Sequence, residues 1–253
     1  MGGALGQAGA DARAVEGGLM LVLALETSTP QSSVALGTEQ GIIASMTFSW
    51  GRGHSEIVTP AIDRLLRWTE IDPRQIVGVA VGVGPGLFTG LRVGVSTARA
   101  IAQVLGCSVV GIPSLDALAF GVRHSRWKIG AAIDGKRGQM FYAFYRPVPG
   151  GVTRETEYQV GAPDRIIADL DATGEDTLLV GNGALLYRRQ LQEAATRLEF
   201  ASVSLAFPVA SSLLELSVPR FQREEAERPE HVVPLYVRKS DAEINWAARA
   251  RSA

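Results

Sequence analysis

The sequence is poor in the residues that build disulfides and metal sites. Its one cysteine, Cys107, cannot form a disulfide within the chain, and a single thiol is typical of a reducing compartment. Cys107 opens an apolar stretch, so a buried and inert thiol is the simplest interpretation. The three histidines, His54, His124 and His231, are far apart and share no paired spacing. We therefore predict no zinc or iron site made by this chain alone.

An excess of one charge and long apolar runs are also missing. The 25 basic and 26 acidic residues give a formal net charge of -1, so no overall positive field drives nucleic-acid binding by the chain alone. No run of about 18 apolar residues occurs that could cross a membrane. Residues 1–18 are rich in Gly and Ala and lack the apolar segment of a secretory signal. We expect a cytoplasmic protein whose fold begins near Met20, after a disordered extension over residues 1–18.

A glycine-rich stretch in the middle of the chain joins an apolar segment to a long helix. Residues 76–81 are apolar throughout, as in a strand buried on both faces, and residues 82–86 supply a turn with three glycines. A helix is predicted over residues 89–105, ended by Gly106. The turn lacks the Lys-Ser/Thr pair of a Walker loop and the spacing of a dinucleotide fingerprint. It fits weak phosphate binding or a tight turn alone, and the turn is the simpler interpretation.

A second polar turn lies between two short apolar strands near the N-terminus. The strands are predicted over residues 21–25 and 32–36, and the turn carries a carboxylate and three hydroxyls over residues 26–30. In actin-like and RNase-H-like folds such a turn faces a nucleotide phosphate or a metal, although the same residues are ordinary turn chemistry. A strand, a polar turn and a returning strand recur over residues 128–145, where Asp134 precedes a basic turn. The repeat indicates two lobes of similar architecture.

The helix predicted over residues 89–105 is apolar over more of its surface than a helix on the outside of one domain usually is. Its polar residues form one narrow stripe, made of Arg92, Ser96, Arg99 and Gln103. Small residues recur every four positions and form a smooth ridge on which another helix can pack closely. That ridge consists of Gly90, Gly94, Ala98 and Ala102. The helix is therefore covered on two sides, either within its own chain or by a second molecule.

Six separated stretches, taken in order, resemble the bacterial tRNA threonylcarbamoyladenosine biosynthesis proteins of the TsaB (YeaZ) family, which are paralogues of TsaD. They read LALETSTPQSSVAL, HSEIVTPAIDRLL, GVGPGLFTGLRVGVSTARAIAQ, GIPSLDALA, AIDGKRGQMFYAFY and PLYVRKSDAE. The resemblance covers residues 20–243 and implies an α/β chain with a two-lobed actin-like ATPase (ASKHA, RNase-H-like) fold of mixed sheets flanked by helices. We divide the chain into lobes of residues 19–108 and 109–231, with residues 232–253 returning to the first lobe.

The resemblance implies a non-catalytic accessory subunit. Such a subunit binds and activates TsaD, which transfers the threonylcarbamoyl group to the adenosine next to the anticodon of ANN-decoding tRNAs, and assembles with the ATPase TsaE. It meets tRNA only through the complex. In TsaD the helix after the third strand carries two metal-binding histidines, whereas residues 115–119 here read Leu-Asp-Ala-Leu-Ala. We therefore expect no catalytic residue and no metal, since a lone His124 cannot anchor one.

In the family, two helices of the N-terminal lobe contact TsaD, and the same helices are expected to pair a homodimer in isolation. They correspond to residues 55–68 and 89–105 here. The predicted interface residues are Ile57, Ala61, Leu65, Gly90, Gly94, Thr97, Ala98, Ile101 and Ala102. On this interpretation Gly94→Glu or Ala98→Arg would abolish partner binding and leave a soluble monomer.

No cofactor of its own is expected for the chain. ATP or ADP would bind only at low affinity or at a partner interface, through weak contacts at Glu26, Thr27, Ser28, Gly84 and Gly86.

Two other functions are open at this point. An independent ATP-dependent phosphotransferase of actin-like fold would need one acid for magnesium and another as base, and Glu26 with Asp134 is the only attractive pair. A peptidase would need a nucleophile, but the chain has no HExxH, no GxSxG and no credible pairing of Cys107 with histidine. Four cations also leave a role in tRNA contact open, although a solvated face is commoner; they are Lys136, Arg137, Arg238 and Lys239.

Overall fold

The computed structural model describes residues 19–49 and 53–238, so the predictions for residues 1–18 and 239–253 lie outside the described residues. The first sheet has five strands in the order β3-β2-β1-β4-β5. Strand β1 pairs antiparallel with β2 and parallel with β4, which makes the sheet mixed. The strands are β1 (Val22–Glu26), β2 (Ser32–Thr38), β3 (Gly41–Phe48), β4 (Gly78–Gly84) and β5 (Ser108–Pro113).

The second sheet repeats this arrangement. Its order is β11-β10-β6-β7-β8, with β9 also paired to β7, and β6 lies antiparallel to β7 and parallel to β10. Strands β6 and β7 thus take the places that β1 and β2 hold in the first sheet, which confirms the predicted repeat and the two-lobed actin-like fold. The strands are β6 (Lys128–Lys136), β7 (Gln139–Val148), β8 (Gly151–Arg154), β9 (Gln159–Gly161), β10 (Thr177–Val180) and β11 (Leu198–Phe200).

Helices flank both sheets. The predicted helix over residues 55–68 is continuous through Pro60, and the helical segment that follows β10 is divided in two at Tyr187. Gly106 ends α2 with φ 67°, the left-handed conformation predicted for it. The helices are α1 (His54–Thr69), α2 (Phe88–Leu105), α3 (Ser114–Gly121), α4 (Pro163–Thr173), α5 (Asn182–Leu186), α6 (Arg188–Ala194) and α7 (Ala210–Gln222). None of these described helices is long and apolar enough to span a membrane.

Both faces of the first sheet are covered by the chain itself. Alternate residues of β1 point to opposite faces, so Leu23 and Leu25 pack with α1 and α2, while Val22 and Ala24 pack with α7. Helix α2 contacts the sheet on one side, and also touches α1 and the 3₁₀ turn Pro229–His231. These contacts cover part of the apolar surface of α2 within the chain itself.

Two elements that the predicted boundaries assign to the second lobe lie at the first sheet. Strand β5 pairs with β4, and α7 packs on the first sheet, although both fall within the predicted second lobe of residues 109–231. The packing of α7 on the first sheet cannot be predicted from the sequence alone, because a helix far along the chain can cover either sheet. Residues 232–238 then cross between the lobes: Val232 lies in the core of the first, and Val237 packs against the core of the second.

Candidate functional site

The polar turn after β1 is sealed inside the protein. Glu26, Thr27 and Ser28 have no exposed surface. The glycine-rich turn after β4 lies directly on them, because the N–H of Leu87 donates to the carbonyl oxygen of Ser28 at 2.7 Å. A Cβ added at Gly86 would lie 2.2 Å from that same oxygen. The glycine-rich turn therefore covers the polar turn.

A buried carboxyl group stands at the centre of this cluster. The N–H of Ser28 donates to Oε1 of Glu26 at 2.5 Å, and the hydroxyl of Ser114 donates to Oε2 at 3.5 Å. A Cβ at Gly82 would lie 2.1 Å from the same carboxyl, so glycine makes room for it. Burial raises the pKa of Glu26 to about 7, and the hydrogen bonds from Ser28 and Ser114 only partly oppose this. The carboxyl group therefore changes its charge near neutral pH.

The Glu26→Gln variant tests this placement through the pH dependence of stability. The pKa of Glu26 is about 7 in the folded chain, against 4.5 for an ordinary solvated glutamate, so folding favours the protonated carboxyl. Its stabilising contribution is complete below pH 4.5 and is lost as the pH rises through 7, by roughly 3 kcal/mol in all. Urea unfolding at pH 5, 7 and 8.5 should show the wild type losing stability relative to Glu26→Gln. A constant difference between the two proteins would contradict a buried, titrating Glu26.

The five predicted nucleotide contacts come together, but three of them are not exposed in this arrangement. Glu26, Thr27 and Ser28 are fully buried, so their side chains are not open to a ligand here, and nucleotide contact through them stays a prediction. The side-chain hydroxyl of Thr27 donates to the carbonyl oxygen of Gly90 at 2.8 Å and ties the polar turn to α2. The hydroxyls of Ser28 and Thr29 are buried without a hydrogen-bond partner among the described residues.

A cleft of about 650 Å³ lies between the two lobes, beside the sealed turn. The first turn of α2 and the glycine-rich turn before it line one wall, and the turn between β6 and β7 lines the other. Residues 235–238 also line the cleft. Its basic side chains come from three separate parts of the chain, and we call this place the basic cleft after them: Arg92, Lys136, Arg137 and Arg238.

Aromatic rings line the basic cleft together with its cations. The rings of Phe88 and Tyr236 stack with centroids 5.1 Å apart at an angle of 28°. The guanidinium of Arg92 lies 4.2 Å from the centroid of Phe88. Arg238 donates to Gln139 Oε1 at 2.9 Å. The sequence assigned Arg92 only to a polar stripe, and its closeness to the other three cations follows from the lobe packing, which no local pattern reveals.

The turn between β6 and β7 holds two of these cations in an unusual backbone conformation. Lys136 and Arg137 have φ of 62° and 55°, in the left-handed region that non-glycine residues rarely adopt. The N–H of Lys136 donates to Asp134 Oδ1 at 2.8 Å, and its ammonium pairs with Oδ2 of the same carboxylate at 2.8 Å. The carboxylate of Asp134 is thus paired with the nearby Lys136. The side chains of Lys136 and Arg137 both line the basic cleft.

Most of the predicted partner interface lies inside the chain, where six of its nine residues are buried and are not exposed to a partner. A Cβ at Gly90 would lie 2.0 Å from the carbonyl oxygen of Thr27, and one at Gly94 would lie 2.3 Å from the hydroxyl of Thr27. The small residues thus let α2 approach the polar turn of its own chain. The buried residues are Ala61, Leu65, Gly90, Gly94, Ala98 and Ala102.

The other three predicted interface residues are half-buried. Two of them, Thr97 and Ile101, belong to a row of small and apolar residues along the outside of α2 at helical spacing. Val104 is the most open of this row, with 86% of its surface exposed. We call this row the outer stripe of α2; its residues are Val93, Thr97, Ala100, Ile101 and Val104. Ile57 instead lines a groove of about 700 Å³ between β3 and α1.

The geometry gives no support to the two alternative enzymes. Glu26 is sealed and Asp134 is paired with Lys136, so these acids do not face a common ligand. Burial raises the pKa of Cys107 to about 11, opposite to an activated thiol. Cys107 follows the C-terminal end of α2 and His54 lies beside Gly90 at the other end, roughly 25 Å away at 1.5 Å per helical residue. Within residues 19–49 and 53–238, no three His, Cys, Asp or Glu side chains are placed to hold a metal ion.

Comparisons with known proteins agree with the two-lobed fold described above. A family model described as TsaD, tRNA N6-adenosine threonylcarbamoyltransferase, matches residues 41–246. The tRNA threonylcarbamoyladenosine biosynthesis protein TsaB of Bacillus subtilis is 26% identical over 90% of this chain and 98% of its own length. TsaB of Escherichia coli is 26% identical over 88% of this chain and 96% of its own.

Among solved structures, YeaZ from Pseudomonas aeruginosa superposes with a TM-score of 0.74 at 26% identity, over 86% of this chain and all of that one. Fold, order of elements and length therefore agree along nearly the whole chain. The chain belongs to the TsaD family, as a relative of TsaB (YeaZ).

Proposed function

We propose that this chain is an accessory subunit in the biosynthesis of threonylcarbamoyladenosine in tRNA, and that it binds and activates a TsaD-type transferase. The main support for an accessory role is the burial of the polar turn. The three residues that would face a nucleotide phosphate in an actin-like enzyme, Glu26, Thr27 and Ser28, are buried beneath the glycine-rich turn. The pathway follows from relatives named TsaB that match nearly the full length.

Helix α3 supports the same proposal. It lies where the resemblance places the metal-binding helix of TsaD, but its polar residue Asp116 is used within the fold. Oδ1 of Asp116 accepts hydrogen bonds from the hydroxyls of Tyr145 at 2.7 Å and Tyr158 at 2.9 Å. These bonds join α3 to the second sheet, so Asp116 serves the packing of the lobe.

The transferase is proposed to dock on the outer stripe of α2. That row presents apolar surface at helical spacing, and Val104 is almost fully exposed although it is an aliphatic residue. In the isolated chain a homodimer would cover the same stripe. Assembly with the ATPase TsaE is a further part of the proposal, as is the expectation that the chain needs no nucleotide of its own.

Complex formation is the direct test of this function. The chain should co-purify with the TsaD homologue of the same organism and elute as a one-to-one complex by size exclusion with light scattering. Purified alone, it should turn over ATP no faster than a Glu26→Gln preparation. A chain that stays separate from TsaD at micromolar concentrations contradicts the proposal, and ATP turnover lost in the Glu26 variant would favour an independent enzyme.

A further inference from the structure

The basic cleft brings four basic side chains together in a chain whose formal net charge is -1. Its four cations come from α2, from the turn between β6 and β7, and from residue 238, and they converge on one cavity. Among the described residues that line the cavity, none is an aspartate or a glutamate. The nearest acid along the chain, Asp134, is almost buried and is paired with Lys136. The cavity therefore carries a local positive field that the net charge of -1 hides.

The residues that line the basic cleft favour one of two anionic ligands, a magnesium-bound nucleotide or a nucleic-acid strand. A nucleoside triphosphate is normally bound with magnesium, which needs carboxylate ligands or water held by them. Glu26 is sealed away from the cavity, and no acid lines it among the described residues. A nucleic-acid strand needs no such metal, because its successive phosphates are neutralised directly by Lys and Arg. Several cations spread along one cavity fit a strand better than a single metal-bound nucleotide.

The two stacked aromatic rings that line the basic cleft favour a single strand over a duplex. Phe88 and Tyr236 are 37% and 44% exposed, and they line the same cavity as Arg92 and Arg238. Exposed aromatic side chains next to cations are the surface on which unstacked bases lie, while cations follow the phosphates. A closed A-form duplex keeps its bases stacked inside and offers them no such contact.

We propose that the basic cleft binds a single-stranded segment of RNA, with phosphates at Arg92, Arg137 and Arg238 and a base against Tyr236. Identification of that RNA with the tRNA substrate rests on the proposed function. The chain then contacts tRNA directly, in addition to the contacts that its partner makes. Because the net charge of the chain is -1, the cleft acts as a local site and binds tRNA strongly only when the partner adds further contacts.

The salt dependence of tRNA binding tests the cleft in the assembled complex. The test variant carries Arg92→Gln, Arg137→Gln and Arg238→Gln, and it keeps Lys136 because the two bonds from Lys136 to Asp134 hold the turn in shape. Each phosphate contact to a single strand contributes about 0.7 to the slope of log affinity against log salt, so the slope should fall by about 2. At low salt the affinity should fall at least tenfold. Fluorescence anisotropy with unmodified tRNA at several salt concentrations gives both quantities.

A matched control removes the same charge elsewhere. Arg165, Arg189 and Arg197 are exposed and do not line the cleft, so their triple glutamine variant should keep the wild-type slope. Tyr236→Ala should lower the affinity for single-stranded RNA about tenfold with an unchanged slope, since it removes stacking and no charge. Size exclusion with the TsaD homologue shows that each variant still folds and assembles.

The remaining outcomes separate this inference from the proposed function. If the complex forms and the cleft variant binds tRNA with the wild-type slope, the inference is wrong and the accessory role stands. If no complex forms, the same variants are compared as free chains with a labelled single-stranded oligonucleotide. Cleft-dependent binding there supports the inference while the accessory role fails. Equal competition by a duplex, or displacement by ATP alone, identifies another anion site and overturns the proposal.

Discussion

Replacing Ala98 by arginine is expected to prevent the chain from folding, while the same replacement at Ala100 is expected to change its stability by less than about 0.5 kcal/mol. Ala98 lies on the face of α2 that packs into the core and has no exposed surface, whereas Ala100 is exposed two residues further along the same helix. A guanidinium at position 98 would be buried without a partner, at a cost of several kcal/mol. That cost is comparable to the whole stability of a typical domain, about 5–15 kcal/mol.

Circular dichroism and urea unfolding of the two variants measure this difference. Ala98→Arg should be insoluble or show no cooperative transition, and Ala100→Arg should unfold at the wild-type midpoint. A soluble Ala98→Arg protein with a wild-type midpoint would mean that the small ridge of α2 is exposed. In that case the ridge would again be the best candidate for the partner interface.

The second large effect is expected at Val104, where Val104→Asp should break the contact with the TsaD homologue. Val104 is 86% exposed, so the charge stays in water in the free chain and the free energy of unfolding should hardly change. In the complex, the carboxylate would be buried in an apolar contact without a partner. A central interface residue is typically worth about 2 kcal/mol or more, which is a loss of about 30-fold in affinity.

Val203→Asp is the matched control for that measurement. Val203 is also a largely exposed valine, at 76%, but it lies in the 3₁₀ turn Val203–Leu205, away from α2. Titration calorimetry with the TsaD homologue should give wild-type affinity for Val203→Asp and the loss only for Val104→Asp. Equal affinities for the two variants would show that the partner docks elsewhere.

The sequence predicts the architecture well because strand and turn signals are local. The apolar run before Gly82 and the left-handed Gly106 depend on neighbouring residues, and the structure has a strand and a left-handed glycine there. Strand β4 continues to Gly84, three residues past the predicted end, so Gly82 and Gly84 belong to the strand and the turn after it is shorter than predicted. The repeated hairpins likewise identify the two lobes, since their polar tips recur at matching places in the two sheets.

The covering of α2 could not be predicted in the same way. An amphipathic pattern shows that a face is apolar, but it does not show what covers it. Small residues at Gly90 and Gly94 fit close approach to any backbone, and in the folded chain that backbone is the turn at Thr27. Helix α7, which covers the other face of the first sheet, lies more than a hundred residues further along the chain.

The basic cleft was only partly visible in the sequence for a related reason. Lys136 and Arg137 are adjacent in a turn, so their pairing is local, while Arg92 and Arg238 join them only when the lobes close on each other. The sealed state of Glu26 is also a tertiary property. Its carboxyl, at the end of a strand and before three hydroxyls, has the sequence pattern of a ligand-binding turn, and only the position of residues 82–87 shows that it is covered.

The most direct test of the accessory role is the rate of threonylcarbamoyl transfer to an ANN-decoding tRNA by the TsaD homologue of the same organism. The transfer is measured with TsaE and ATP present, with the chain left out, added, or replaced by Val104→Asp. Transfer is expected to depend on the wild-type chain and to stay near the background rate with Val104→Asp. Transfer at the full rate without the chain would contradict the proposal that it activates the enzyme.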